Sequence, residues 1–152
     1  MPASGLASAI RWYVDGFSQR SQIKVELEIP ESLGRLSDEM ELAIFRMVQE
    51  CLTNIHRHSG SSTAKIVMRQ EEKEKRMLVR VEDSGKGIPP QKQMELASSG
   101  RTGIGFRGMR ERLRQLGGDL SIHSDDHGTV VAATLPMPVE NRAVDLQTKA
   151  AV

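Results

Sequence analysis

Two parts of this chain alternate, turn and alternate again, and that pattern excludes most folds. Residues 63–70 and 76–83 alternate apolar and polar side chains on either side of Glu71-Glu72-Lys73-Glu74-Lys75, an all-charged tip that only solvent tolerates. Residues 119–124 and 129–135 do the same around Asp125-Asp126-His127-Gly128. Strands joined this closely must run antiparallel, because a parallel connection needs a crossover of about a dozen residues or more. A wholly parallel sheet is therefore excluded. A fifth alternating segment, residues 23–29, sets Ile23, Val25, Leu27 and Ile29 against Lys24, Glu26 and Glu28, and Pro30 stops it.

Helical patterns fill the remainder. Leu6, Ile10, Tyr13 and Phe17 form one apolar stripe, able to dock on this domain or on a partner helix. Ser37 is a good N-cap, and the acids Asp38, Glu39 and Glu41 suit the first turn of a helix expected to reach His58 and stop at Ser59-Gly60. A third helix is expected from about Gly108 to Leu116, with Gly117-Gly118 as its stop. Before it, residues 84–108 are glycine-rich, unpatterned and interrupted by Pro89-Pro90, a length of loop that in compact domains usually serves function. The order predicts an α+β domain: a two-layer α/β sandwich, its sheet mixed and mostly antiparallel, with the helices on one face. Residues 1–22 are expected to be an N-terminal helix or linker remnant, 23–136 the domain, and 137–152 a disordered tail.

Composition narrows the class. Twenty-one basic and 20 acidic residues leave a formal charge of +1, against a chain built around nucleic-acid phosphates or anionic lipid. Trp12, Tyr13, Phe17, Phe45 and Phe106 are too few aromatics for a base-stacking platform. Cys51 is the only cysteine, so no internal disulfide can form, and a reducing, cytoplasmic setting is expected. No run is long enough to span a membrane, and no membrane contact by this segment is expected.

The residues that could carry chemistry lie at element borders. Glu50, Asn54 and His58 are spaced four apart, a row drifting by about 40° per step along the edge of the apolar face formed by Ile44, Phe45, Met47, Val48, Cys51, Leu52 and Ile55. Such a row can line a cleft while the helix stays anchored; the same residue types also make an ordinary solvated face. Asp83 shares strand parity with Met77, Val79 and Val81, and an acid on the core side is costly unless something hydrogen-bonds to it. Gly85 and Gly87 follow in Asp83-Ser84-Gly85-Lys86-Gly87 and allow a close approach of backbone to ligand. A carboxylate there can accept from an exocyclic amine, which adenine carries where guanine has an oxygen. A plain tight-turn aspartate gives the same pattern.

Gly103, Gly105 and Gly108 complete a G-x-G-x-x-G run. A dinucleotide-binding fold would need a strand directly before it, and residues 95–102 show none. The run still sets glycines ahead of a helix N-terminus, a natural phosphate site, with Lys86, Arg101 and Arg107 nearby. Thr129 shares parity with Val131, Ala133 and Leu135, which turns its hydroxyl inward.

Taken in order, these motifs resemble the Bergerat ATP-binding fold of gyrase, mismatch-repair ATPases, heat-shock chaperones and histidine kinases. The stretch from Phe45 to His58 (FRMVQECLTNIHRH) resembles the N box of nitrate-sensor-type histidine kinases, and so does Gly108-Met109-Arg110-Glu111-Arg112. The likeness covers about residues 23–136. It implies a catalytic domain that binds ATP and Mg²⁺. Asn54 would hold the metal, and Glu50 would polarise the attacking group or support the metal shell. Asp83 would read the adenine amine, with Gly85 and Gly87 shaping the base pocket. Gly103, Gly105 and Gly108 would let a lid close over the phosphates, Thr129 would contact the base, and His58 the phosphates.

The family's phosphoacceptor histidine sits on an upstream helix and is followed by an acid. Here the four histidines precede Arg57, Ser59, Ser124 and Gly128, so the acceptor and the dimerisation helices are expected outside this chain, with a response regulator downstream and this domain a monomer. Two alternatives stay open: a serine/threonine kinase of the anti-sigma-factor type, and a non-catalytic nucleotide-sensing module.

Overall fold

The computed structural model describes residues 5–30, 36–85 and 106–137. Among these residues the chain forms helix α1 (Gly5–Ser21), strand β1 (Lys24–Glu28), helix α2 (Asp38–Asn54) with a π-turn (Ile55–Ser59), strands β2 (Thr63–Glu71) and β3 (Arg76–Asp83), helix α3 (Phe106–Gln115), and strands β4 (Asp119–Asp125) and β5 (Gly128–Pro136). The sheet order is β1-β2-β3-β5-β4. β1 runs parallel to β2, and the other pairs are antiparallel. This is the expected mixed α+β sheet. The tail from residue 138 onward and most of the 84–108 loop, with Gly87, Gly103 and Gly105, lie outside the described residues.

Register explains the core. Ile66 pairs with Val81 and Met68 with Val79, while Val79 and Val81 pair across to Ala133 and Val131. All six are buried on the face that the helices cover. The opposite face carries charge: Lys65 bridges to Glu28 at 3.1 Å, and Arg80 to Glu82 at 2.6 Å. Val67 is buried between its partners Glu28 and Arg80 on that side, covered by the stems of charged side chains.

The stripe of α1 docks on this domain. Leu6, Ile10, Val14 and Phe17 are buried in the common core. Tyr13 lies at the border and meets Phe45 edge to face, with ring centroids 5.8 Å apart. Val14 therefore takes the inward place expected for Tyr13, and Phe45 sits at the margin of its apolar face while Ala43 joins the core.

Helix ends follow side-chain chemistry. Ser37 accepts the Met40 N–H at 3.1 Å, the N-cap expected from sequence. The C-terminal end of α2 departs from expectation: α-helical geometry stops at Asn54, and residues 55–59 widen into a π-turn. Ser59 Oγ donates to the Ile55 carbonyl at 2.8 Å, taking the acceptor that its own N–H would use in an α-turn. Ser59 Oγ also accepts the Ser61 N–H, which steers the chain into β2. α3 starts by Phe106, two residues earlier than expected, so Gly108 lies inside its first turn. It ends at Gly117-Gly118 as expected: Gly118 N–H reaches the Leu113 carbonyl and Gly117 N–H that of Arg114.

Candidate functional site

The end of β3 meets the end of the long helix. Asp83 keeps the core-side parity of Met77, Val79 and Val81 but is only half-buried, at the rim of the sheet. Its Oδ1 accepts the Gly85 N–H at 2.8 Å, and the Thr129 backbone N–H also donates to its carboxylate. Burial still dominates and holds the carboxyl above the ordinary aspartate range, the two donors offsetting part of the shift. This is a carboxylate built into the fold with acceptor capacity left over.

Two glycines make that placement possible. A side chain at Gly85 would collide with the Ser59 backbone and Cβ, so the turn after Asp83 lies directly on the π-turn. Gly128 has φ +146°, and a Cβ there would overlap the Asp83 carbonyl. Ser84 N–H reaches Ser61 Oγ at 3.2 Å, tying the same turn to the start of β2. Helix end, strand end and the β4–β5 hairpin are thus fastened at one point.

Thr129 is buried and faces the core side with Val131, as its parity predicts. Its hydroxyl pairs with Ser124 Oγ at 2.8 Å. Ser59 is expected from the sequence only as part of the helix stop Ser59-Gly60, and Ser61 and Ser124 are not singled out by it.

Glu50 and Asn54 lie one turn apart on α2, both half-buried. His58 is exposed on the π-turn, so the widened turn separates it from a row that a straight helix would have continued. Cys51, next to Glu50, is buried; burial first, then the charges of Glu50 and Asp83, push its thiol far above the ordinary cysteine range. It is a core thiol without nucleophilic character. Gly108 lies in the first turn of α3, where backbone N–H groups lack intrahelical acceptors. A cavity of about 320 Å³ opens between α2 and α3, with Glu50 and Gly108 in its lining.

The donor set fits a magnesium nucleotide. Glu50 and Asn54 offer hard oxygens, and magnesium takes few protein ligands because it keeps water and phosphate oxygens. Asp83 offers an acceptor to an amine. Among the described residues no three histidine, cysteine, aspartate or glutamate side chains converge.

Residues 39–139 match the family model for histidine kinase-, DNA gyrase B-, and HSP90-like ATPases. The sensor histidine kinase MctS of Rhizobium johnstonii is 32% identical over 147 residues, covering 97% of this chain and 31% of that protein. The signal transduction histidine-protein kinase/phosphatase UhpB of Salmonella typhimurium is 38% identical over 101 residues, covering 66% of this chain and 18% of UhpB. The histidine kinase domain of a blue-light-activated kinase from Erythrobacter litoralis has the same fold, with a TM-score of 0.75 at 22% identity, covering 89% of this chain and 62% of that one. The chain spans a third or less of the length of these two curated relatives. No helix among the described residues is long and apolar enough to cross a membrane. The chain belongs to the histidine kinase-, DNA gyrase B- and HSP90-like ATPase family.

Proposed function

We propose that this chain is the ATP-binding catalytic domain of a two-component sensor histidine kinase, acting on a histidine carried by a dimerisation helix outside these residues. The observation that carries the reading is the junction at Asp83. A half-buried carboxylate, fixed by the Gly85 and Thr129 N–H groups, sits against the helix end that carries Glu50 and Asn54. Sensor kinase relatives along nearly the whole chain support it.

ATP would supply the γ-phosphoryl group, and a bound Mg²⁺ would offset its charge. Asp83 accepts the hydrogen bond of the adenine amine, selecting against a base with an oxygen at that position. Gly85 and Gly87 are the glycines assigned to the base pocket, and Thr129, paired with Ser124, would border the base. Asn54 would hold the metal through its amide oxygen. Glu50 would orient the attacking imidazole or support the metal's water shell. Gly103, Gly105 and Gly108 would let the backbone close over the phosphates, with His58 as a phosphate contact. Rate acceleration would come from positioning and charge stabilisation rather than covalent chemistry. A response regulator would receive the phosphoryl group next, and the cytoplasm is the compartment this implies.

The test mixes the purified chain with γ-labelled ATP, Mg²⁺ and the acceptor-helix segments of related sensor kinases. Acid-labile label on an acceptor, lost in Asn54→Ala, supports the reading. Acid-stable label on a protein acceptor points instead to a serine/threonine kinase, and no transfer with intact nucleotide binding points to a sensing module.

A further inference from the structure

The cavity between α2 and α3 has a floor and a rim of different chemistry. Met47, Met109 and Leu113 are buried beneath it, while Arg46 and Glu50 on one wall and Arg112 on the other reach its mouth. Arg46 lies one turn before Glu50, in line with Asn54. Arg112 stands apart from the other arginines of its helix. Arg107 pairs with Glu111 at 3.6 Å, Arg110 donates to the Leu120 carbonyl, and Arg114 bridges to Asp119 at 3.1 Å. Arg112 and Arg46 have no hydrogen-bond or ion-pair partner among the described residues, and both face the same 320 Å³ space.

Arg46 and Arg112 are both exposed and line one cleft in which Glu50 is the single carboxylate, an arrangement of guanidinium groups that suits an anion between them. The base-reading carboxylate lies at the Ser59 end of α2. On the nucleotide reading above, phosphates held by Asn54 and Glu50 would run back along the helix toward this cleft, since Glu50 also lines it. Gly108, in the first turn of α3, adds no side chain on the facing wall.

We propose that Arg46 and Arg112 form a clamp for the terminal phosphate of ATP, so that the domain discriminates ATP from ADP through this cleft. The inference rests on the nucleotide reading above and adds two positioning residues to it. Guanidinium groups suit the task because their planar fork gives two parallel hydrogen bonds to a phosphate.

The experiment is calorimetric titration of Mg-ATP and Mg-ADP into the full chain, as wild type, Arg46→Ala, Arg112→Ala, Arg112→Lys and the control Arg114→Ala. The clamp predicts that each alanine variant at 46 or 112 loses about tenfold in ATP affinity, the scale of one charge-assisted hydrogen bond, while ADP affinity is unchanged. Arg112→Lys recovers part of the loss, and Arg114→Ala changes neither nucleotide. An unchanged ATP-to-ADP ratio in folded Arg46→Ala and Arg112→Ala overturns the clamp and leaves the nucleotide site standing. An equal loss for both nucleotides also overturns it, since the arginines would then act on the site as a whole. A wild type that binds neither nucleotide overturns the clamp together with the reading beneath it.

Discussion

Asp83 shows what one residue's environment decides. Burial raises its carboxyl above the ordinary aspartate value of about 3.9 while two backbone donors resist the shift. The native state therefore holds the proton to a higher pH than the unfolded chain does. Stability of the wild type falls as pH rises through the interval between the two values, and is recovered as pH drops below the lower one. Asp83→Asn removes that ionisation, so the variant is expected to be at least as stable as wild type at pH 7 in urea denaturation. Its relative advantage should shrink as the medium is acidified. An advantage that instead grows toward acid contradicts a burial-dominated carboxyl. ATP affinity should also weaken on the acid side, beginning at a pH above the usual aspartate range, because a protonated carboxyl loses acceptor capacity.

At the scale of elements, hinge points between strands and helices carry the site. Ser59 holds the π-turn closed through the Ile55 carbonyl and hands the chain to Ser61. Ser59→Ala should cost about 1 kcal/mol in chemical denaturation, the net worth of a buried hydrogen bond. Gly128→Ala should be costlier, about 1–3 kcal/mol or more, because its Cβ meets the Asp83 backbone at a φ that other residues avoid; a neutral effect would mean that the hairpin shifts freely. Strand alternation and charged tips made all five strands legible to within a residue or two. The π-turn was not legible, because a serine hydroxyl competing for a carbonyl leaves no periodic trace. Gly108 was expected at the start of its helix, yet the described helix begins at Phe106, since the glycine run gives no N-cap to mark the boundary. Asp83 and Thr129 could be oriented from parity alone. The Ser124 partner and the Arg46–Arg112 cleft depend on which strand and helix faces meet, and one sequence does not state that.

The whole molecule joins α1 to the domain. Ile10 is fully buried in the shared core, and Phe17 meets the His56 ring edge to face. Ile10→Ala should therefore lower stability by about 2–5 kcal/mol, as large-to-small core changes do. An effect near zero would mean that α1 is an appendage. The sheet supplies a rigid floor, and the polar groups of the site stand at its rim, where strand end, helix end and hairpin are pinned together. The central claim is that this rim reads adenine through Asp83. Titrating Mg-ATP into wild type and Asp83→Asn by calorimetry tests it most directly. The account predicts saturable binding by wild type and a loss of about tenfold or more in the variant while it stays folded, the scale of a hydrogen bond to a charged acceptor. Equal affinity in the two folded proteins, or no binding by wild type at millimolar nucleotide, would contradict it.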